Sequence, residues 1–157
     1  MMAIVLGLGN VFMRDDAIGI HVAREVRQRN FGKEVRVYDY QEMDLSLLGY
    51  FQGASKLVVV DAFKSGKPPG TVSKYSIAPR EEPLSQLPSL HSLQLFDIFD
   101  LASQAGLLSC PVIIIGVEPK DCSPGEEMSE ELTAALPRAV GEVIKELRID
   151  LPRASSA

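Results

Sequence analysis

Three short apolar runs constrain the fold more than anything else in the chain. They are residues 2–8 (MAIVLGL), 56–61 (KLVVVD) and 111–117 (PVIIIGV). None alternates apolar with polar, and none is long enough for a helix of ordinary length. Such runs suit strands buried on both faces, and strands of that kind belong to parallel sheets covered by helices. Helical periodicity fills the gaps. Residues 16–29 place Ile18, Val22 and Val26 on one face, and residues from Ser89–His91 to Gly106 place His91, Leu95, Ile98, Phe99 and Ala102 on one stripe. Residues 129–148 supply Leu132, Leu136, Ala139, Val143 and Leu147. Residues 34–40 (EVRVYDY) and 71–78 (TVSKYSIA) alternate and read as strands nearer an edge. The expected fold is a single-domain α/β structure. Its sheet is mostly parallel, twisted and of about five strands, with helices on both faces. The 71–78 strand follows its predecessor through the short turn KSGKPPG, so it is the one expected to run antiparallel.

Local signals set the boundaries. Asp15 or Asp16 stands where a carboxylate can cap the first helix, and Asn30 and Gly32 can end it. A short helix is expected over 44–53, closed by Gly53. Residues 79–89 carry three prolines and read as irregular, and 118–128 read as an acidic loop. Ser129 can cap the last helix, and Pro137 is expected to kink it or delay its start. The domain spans 1–150, and 151–157 (LPRASSA) form a loose tail.

Composition removes several classes of function. The chain has 157 residues with 16 Lys+Arg against 21 Asp+Glu, a net charge of −5. An acidic chain lacks the basic footprint of a nucleic-acid binder. Two cysteines, Cys110 and Cys122, are too few for a disulfide framework and lack CxxC spacing. The opening MMAIVLGLGN has no basic n-region, so no signal peptide is expected. The apolar runs fall far short of a membrane span. The expected setting is therefore soluble and cytoplasmic, with no nucleic-acid or membrane partner.

In an open α/β sheet, ligands gather at the carboxyl ends of the strands. Asp15 and Asp16 follow the first strand and its GLGN turn, Asp61 ends the second buried run, and Glu118 ends the third. His91 opens a helix that can reach the same edge. Carboxylates and an imidazole converging from separate segments suit a divalent metal. Each has a plainer reading: a helix cap for Asp16, a turn residue for Asp61, a packed helix-start histidine for His91, a solvated or capping residue for Glu118. His21 reads as a surface residue, and the two cysteines as small apolar fillers. There is no GxSxG elbow, HExxH or P-loop, and GxGxxG is incomplete because position 12 is Phe.

The segment GLGNVFMRDDAIGIHVAREV (7–26) resembles the opening of the hydrogenase maturation endopeptidases, where a G-x-G-N turn leads into D-[DE]-[AG]-x-G. VVVDAFKSGKPPGTV (58–72) is similar to that family's V-D-A and P-G-T loop. HSLQLFDIFDLA (91–102) is similar to its H-x-x-x-[LF] helix, and GVEPKDCSPGEEMSEELTAAL (116–136) to its G-[IV]-E-P tail. Peptidyl-tRNA hydrolases share GLGN but continue with a T-R-H-N-x-G block that is absent here. The resemblance implies an endopeptidase that removes the C-terminal extension of a nickel–iron hydrogenase large-subunit precursor after nickel insertion. By position, Asp16, Asp61 and His91 would be its catalytic and nickel-recognising residues. The nickel would be carried by the precursor, with no tightly bound organic cofactor, and a monomer is the expected state. Two departures stand out. Asp16 replaces the glutamate of many members, and Asp39-Tyr40-Gln41-Glu42 replaces a glycine-rich D-[GA]-G-[TS] loop.

Two other classes of function remain open at this level. One is a non-catalytic chaperone or docking module for the nickel-loaded subunit. The other is a dinucleotide-binding domain using the GLGN turn, with Asp39 as the ribose acceptor.

Overall fold

The structure is a computed structural model that describes residues 2–41, 44–77 and 92–150. Five strands form one sheet: β1 (Met2–Leu8), β2 (Val35–Tyr40), β3 (Ala54–Ala62), β4 (Val72–Ile77) and β5 (Val112–Val117), in the order β2-β1-β3-β5-β4. The three buried-type runs are the three central strands. β1 pairs in parallel with β2 and β3, and β3 in parallel with β5. β4 runs antiparallel to β5, as the short preceding turn implied.

Alternation along the central strands splits the core in two. Ala3, Val5, Val58, Val60, Ile113 and Ile115 face one side, where α1 (Ile18–Gln28) and α3 (Glu130–Asp150) pack. Ile4, Leu6, Leu8, Leu57, Val59 and Ile114 face the other. There they meet α2 (Ser92–Gln104) and a 3-10 helix at Leu45–Tyr50. Phe51 and Phe99 join those two elements, with ring centroids 5.7 Å apart. Helices thus cover both faces.

Several boundaries differ from expectation for local reasons. The first helix begins as a 3-10 turn at Arg14–Ala17 and becomes α-helical only from Ile18. The 44–53 segment is 3-10 rather than α. Asp44 caps it by accepting from Ser46 N (2.9 Å), and Gly53 turns the chain at φ +81°, leaving too few residues for a regular helix. Pro137 does not delay α3. Leu132 N donates to Ser129 Oγ (3.3 Å) and Thr133 N to Ser129 O (2.9 Å), so the first turn is held upstream of the proline. Burial of Leu132, Ala135, Ala139, Val143 and Leu147 outweighs the missing N–H, which costs about 3 kcal/mol. The 79–89 segment, His91 and the 151–157 tail lie outside the described residues. No helix among the described residues is long and apolar enough to cross a membrane.

α3 is also fastened by charge. Glu146, 4% exposed, accepts from Lys56 Nζ (2.9 Å) on β3 and from Lys74 Nζ (2.7 Å) on β4. Burial by itself raises the Glu146 carboxyl, but the hydrogen bonds and charges of Lys74 and Lys56 outweigh it and hold the group below its ordinary value of 4.5. A carboxylate shifted this way stabilises the fold fully above the unfolded value, and that contribution is lost as pH falls through the lower folded value. Glu146→Ala is expected to lower the unfolding free energy by about 3–5 kcal/mol at pH 7, because it removes the counter-charge of the buried Lys56. Urea titrations of wild type and variant from pH 7 to pH 3 check this. The difference between them should shrink toward the acid end.

Candidate functional site at the carboxyl ends of β1 and β3

The chain leaves β1 for the α1 face and reaches β2 on one side, while β3 lies on the other. The carboxyl ends of β1 and β3 are therefore the switch point at which an open α/β sheet forms a crevice. Two glycines let α1 close over it. A Cβ on Gly19 would lie 2.2 Å from Leu8 O and 2.3 Å from Val60 O, so only glycine lets the first turn of α1 rest on both strand ends. Gly9 has φ +148°, and a Cβ there would lie 2.0 Å from Asp16 O. The GLGN turn is thus folded onto the backbone of Asp16, which fits its glycines to chain closure.

Asp16 and Asp61 are brought to this edge from separate elements. Asp61 lies inside β3, not in a turn after it, and is paired in register with Gly116 of β5. It is fully buried, and one oxygen accepts from Ala62 N (2.8 Å). Alternation places it on the same face as Leu57, Val59 and Phe63, the α2 side of the sheet. Asp16 is 7% exposed in the 3-10 turn that precedes α1. The N-cap position of α1 is Ala17, which offers no side-chain cap. The 3-10 turn that carries Asp16 packs against β3, so two buried acids come to this end of the sheet from different segments. His91 lies outside the described residues, which begin again at Ser92. No group of three or more His, Cys, Asp or Glu side chains arranged for a metal occurs among the described residues.

The neighbouring acids have other work. Asp15 is fully buried and accepts four hydrogen bonds. They come from Lys120 N (2.9 Å), Asp121 N (2.9 Å), Ser129 N (2.7 Å) and Ser129 Oγ (2.9 Å). Its own N–H donates to Asp121 O (3.0 Å). Asp15 therefore clamps the 118–129 loop, while its neighbour Asp16 is buried in the same 3-10 turn. Glu118 is 7% exposed, so the solvated reading of it is corrected. It accepts from Ser65 N (2.9 Å), Ser65 Oγ (2.7 Å) and Gly66 N (3.1 Å), tying down the turn after β3. Burial raises its carboxyl, but those hydrogen bonds and the charge of Lys67 hold it below the ordinary value. Asp39 pairs with Arg24 (3.4 Å) and Arg27 of α1. That occupies the carboxylate a nucleotide ribose would need. The missing glycines after β2 thus accompany a strand end tied to α1 by charge.

Sequence reasoning missed one group beside Asp16. The Cys122 thiol is pushed up to about 11 by its burial and by the charge of Asp16, with Lys64 opposing. Cys122 therefore lies near enough to Asp16 to feel its charge. At neutral pH Cys122 is a thiol, and burial likewise raises Cys110, so neither is poised as a nucleophile. His21, half-buried on α1, is held below its ordinary value by burial and by Arg24, with Glu25 opposing. The two adjacent aspartates are expected to separate in experiment. Asp15→Ala should lower the unfolding free energy by about 3 kcal/mol through the donors it strands. Asp16→Asn should stay within about 1 kcal/mol of wild type. Urea denaturation of the two variants makes the comparison.

Comparison with known proteins agrees with this architecture. Residues 20–146 match the family described as hydrogenase maturation protease, a span that includes Asp61 and begins four residues after Asp16. The chain is 28% identical over 154 residues to the hydrogenase 2 maturation protease of Escherichia coli, covering 94% of this chain and 92% of that protein. It is 29% identical over 143 residues to the hydrogenase expression/formation protein HoxM of Cupriavidus necator, covering 88% and 70%. Its fold superposes on the hydrogenase maturating endopeptidase HybD of E. coli with a TM-score of 0.86 at 26% identity, covering 99% of this chain and all of the other. The HybD maturation protease of Thermococcus kodakarensis gives 0.74 at 28% identity. A family match over most of its length and the same fold throughout mean that this chain belongs to the hydrogenase maturation proteases and is a hydrolase of the endopeptidase class.

Proposed function

We propose that this endopeptidase removes the C-terminal extension of a nickel–iron hydrogenase large-subunit precursor once nickel is in place. Asp16, Asp61 and His91 would recognise the metal that the precursor carries. The observation that supports this most is a pair of buried carboxylates from separate elements, Asp16 in the turn before α1 and Asp61 near the carboxyl end of β3, with the Cys122 thiol, pushed up to about 11, close enough to feel the charge of Asp16. With no cysteine poised to attack and no serine elbow in the sequence, water is the natural nucleophile.

The chemistry then divides among few groups. One carboxylate accepts a proton from water as the water oxygen adds to the scissile carbonyl. The same proton is available to the leaving amine as the tetrahedral intermediate collapses. The precursor's nickel belongs to the substrate. Contact with Asp16, Asp61 and His91 would orient the bond to be cut and restrict cutting to loaded precursor. The maturing precursor would be met in the cytoplasm, with this chain acting as a monomer.

A shift in precursor mass on incubation tests the reading. Asp16→Asn, Asp61→Asn and His91→Ala are each expected to give a folded protein by circular dichroism. Each should slow cleavage of nickel-loaded precursor by at least about 100-fold. Nickel-free precursor should remain uncut by the wild type. Three variants that all process loaded precursor at the wild-type rate would remove these residues from the site.

A further inference from the structure

Among the described residues, three large apolar side chains are exposed: Phe12 (61%), Leu45 (63%) and Leu101 (42%). Phe12 alone is aromatic, and it lies four residues before Asp16. Its backbone is unusually well held for so exposed a side chain. Phe12 N donates to Asn10 Oδ1 (2.9 Å), and Met13 N to Asn10 O (3.1 Å). Gly125 N donates to Phe12 O (2.8 Å), and Arg14 N to Gly125 O (3.0 Å), so the 118–129 loop braces the turn from its far side. Arg14 next to it is held at φ +45°, a conformation a non-glycine residue keeps only when its surroundings impose it. That loop is itself clamped by Asp15.

We infer that Phe12 is a preformed docking anchor that inserts into an apolar pocket on the surface of the folded precursor, beside the bond presented to Asp16 and Asp61. This rests on the function proposed above. A side chain that protrudes needs a partner that supplies the concavity, which a small molecule does not. Asp15, Asp16 and Asp121 share its loops in a chain of net charge −5, which disfavours anionic lipid and nucleic acid. What remains is a protein, and the protein that must reach this edge is the one whose peptide bond is cut here. Rigid aromatics near the centre of a contact carry much of its free energy, because little ordering is left to be lost on binding.

Steady-state cleavage of nickel-loaded precursor, with binding measured in an Asp61→Asn background, tests the inference. Phe12→Ala is expected to raise KM about 30-fold with kcat near the wild-type value, and to weaken binding by a similar factor. Phe12→Leu should recover most of the loss, and Leu101→Ala, on α2 and outside the site, should change neither constant. Wild-type KM and binding in Phe12→Ala would overturn the anchor, as would a loss confined to kcat. An equal loss in Leu101→Ala would overturn it too, as would a wild-type dimer that Phe12→Ala dissolves, which would mark Phe12 as a self-association contact. Wild-type protein that leaves loaded precursor uncut would overturn the proposed function itself, and the anchor with it.

Discussion

The carboxylate of Asp15 holds together the turn before α1, the loop after β5 and the start of α3. Four donors from two stretches of the 118–129 loop converge on it, and its own N–H returns a bond to Asp121. The acid is fully buried, so these are charge-assisted bonds in a poorly solvated place, where they are strongest and where leaving any unmade is most costly. Through them the start of the α1 region, the loop after β5 and the start of α3 become one unit. Asp16 is the next residue, and its position follows from that clamp as well as from the close seating of Gly19 on Leu8 and Val60.

Around this clamp the acidic residues sort by partner. Glu118 secures the turn after β3 through Ser65 and Gly66, Asp39 ties the edge strand β2 to α1, and Glu146 joins α3 to β3 and β4. Each satisfies a structural need with backbone donors or with cations. Asp16 and Asp61 are buried too, one in the turn before α1 and one near the carboxyl end of β3. Part of the negative charge of the chain is thus architecture.

Much of this was legible before any coordinates. Short apolar runs within 2–8, 56–61 and 111–117 suit the middle of a parallel sheet, and the turn KSGKPPG is too short for a crossover. The strand order and the antiparallel β4 agree with both. Density of motif around GLGN and VVVDA also pointed to the family. What the residues did not reveal was the assignment of neighbours. Asp15 and Asp16 are chemically identical and adjacent, so which one clamps the 118–129 loop depends on donors more than 100 positions away. Glu118 looked solvated because its partners, Ser65 and Gly66, lie in a different loop. Phe12 counted only as the residue that interrupts GxGxxG, since exposure is not a property of sequence.

Periodicity and chain length determined by themselves the fold class and the faces of the helices. These follow from burying apolar area under fixed strand and helix repeats, a local constraint that every segment must meet. The tertiary structure alone decided which carboxylates are spent on holding loops, how the glycines of the GLGN turn are used, and that the aromatic side chain of Phe12 is left exposed. Those outcomes depend on long-range hydrogen bonds and on backbone approaches of two to three ångströms, and only the packed chain determines such distances.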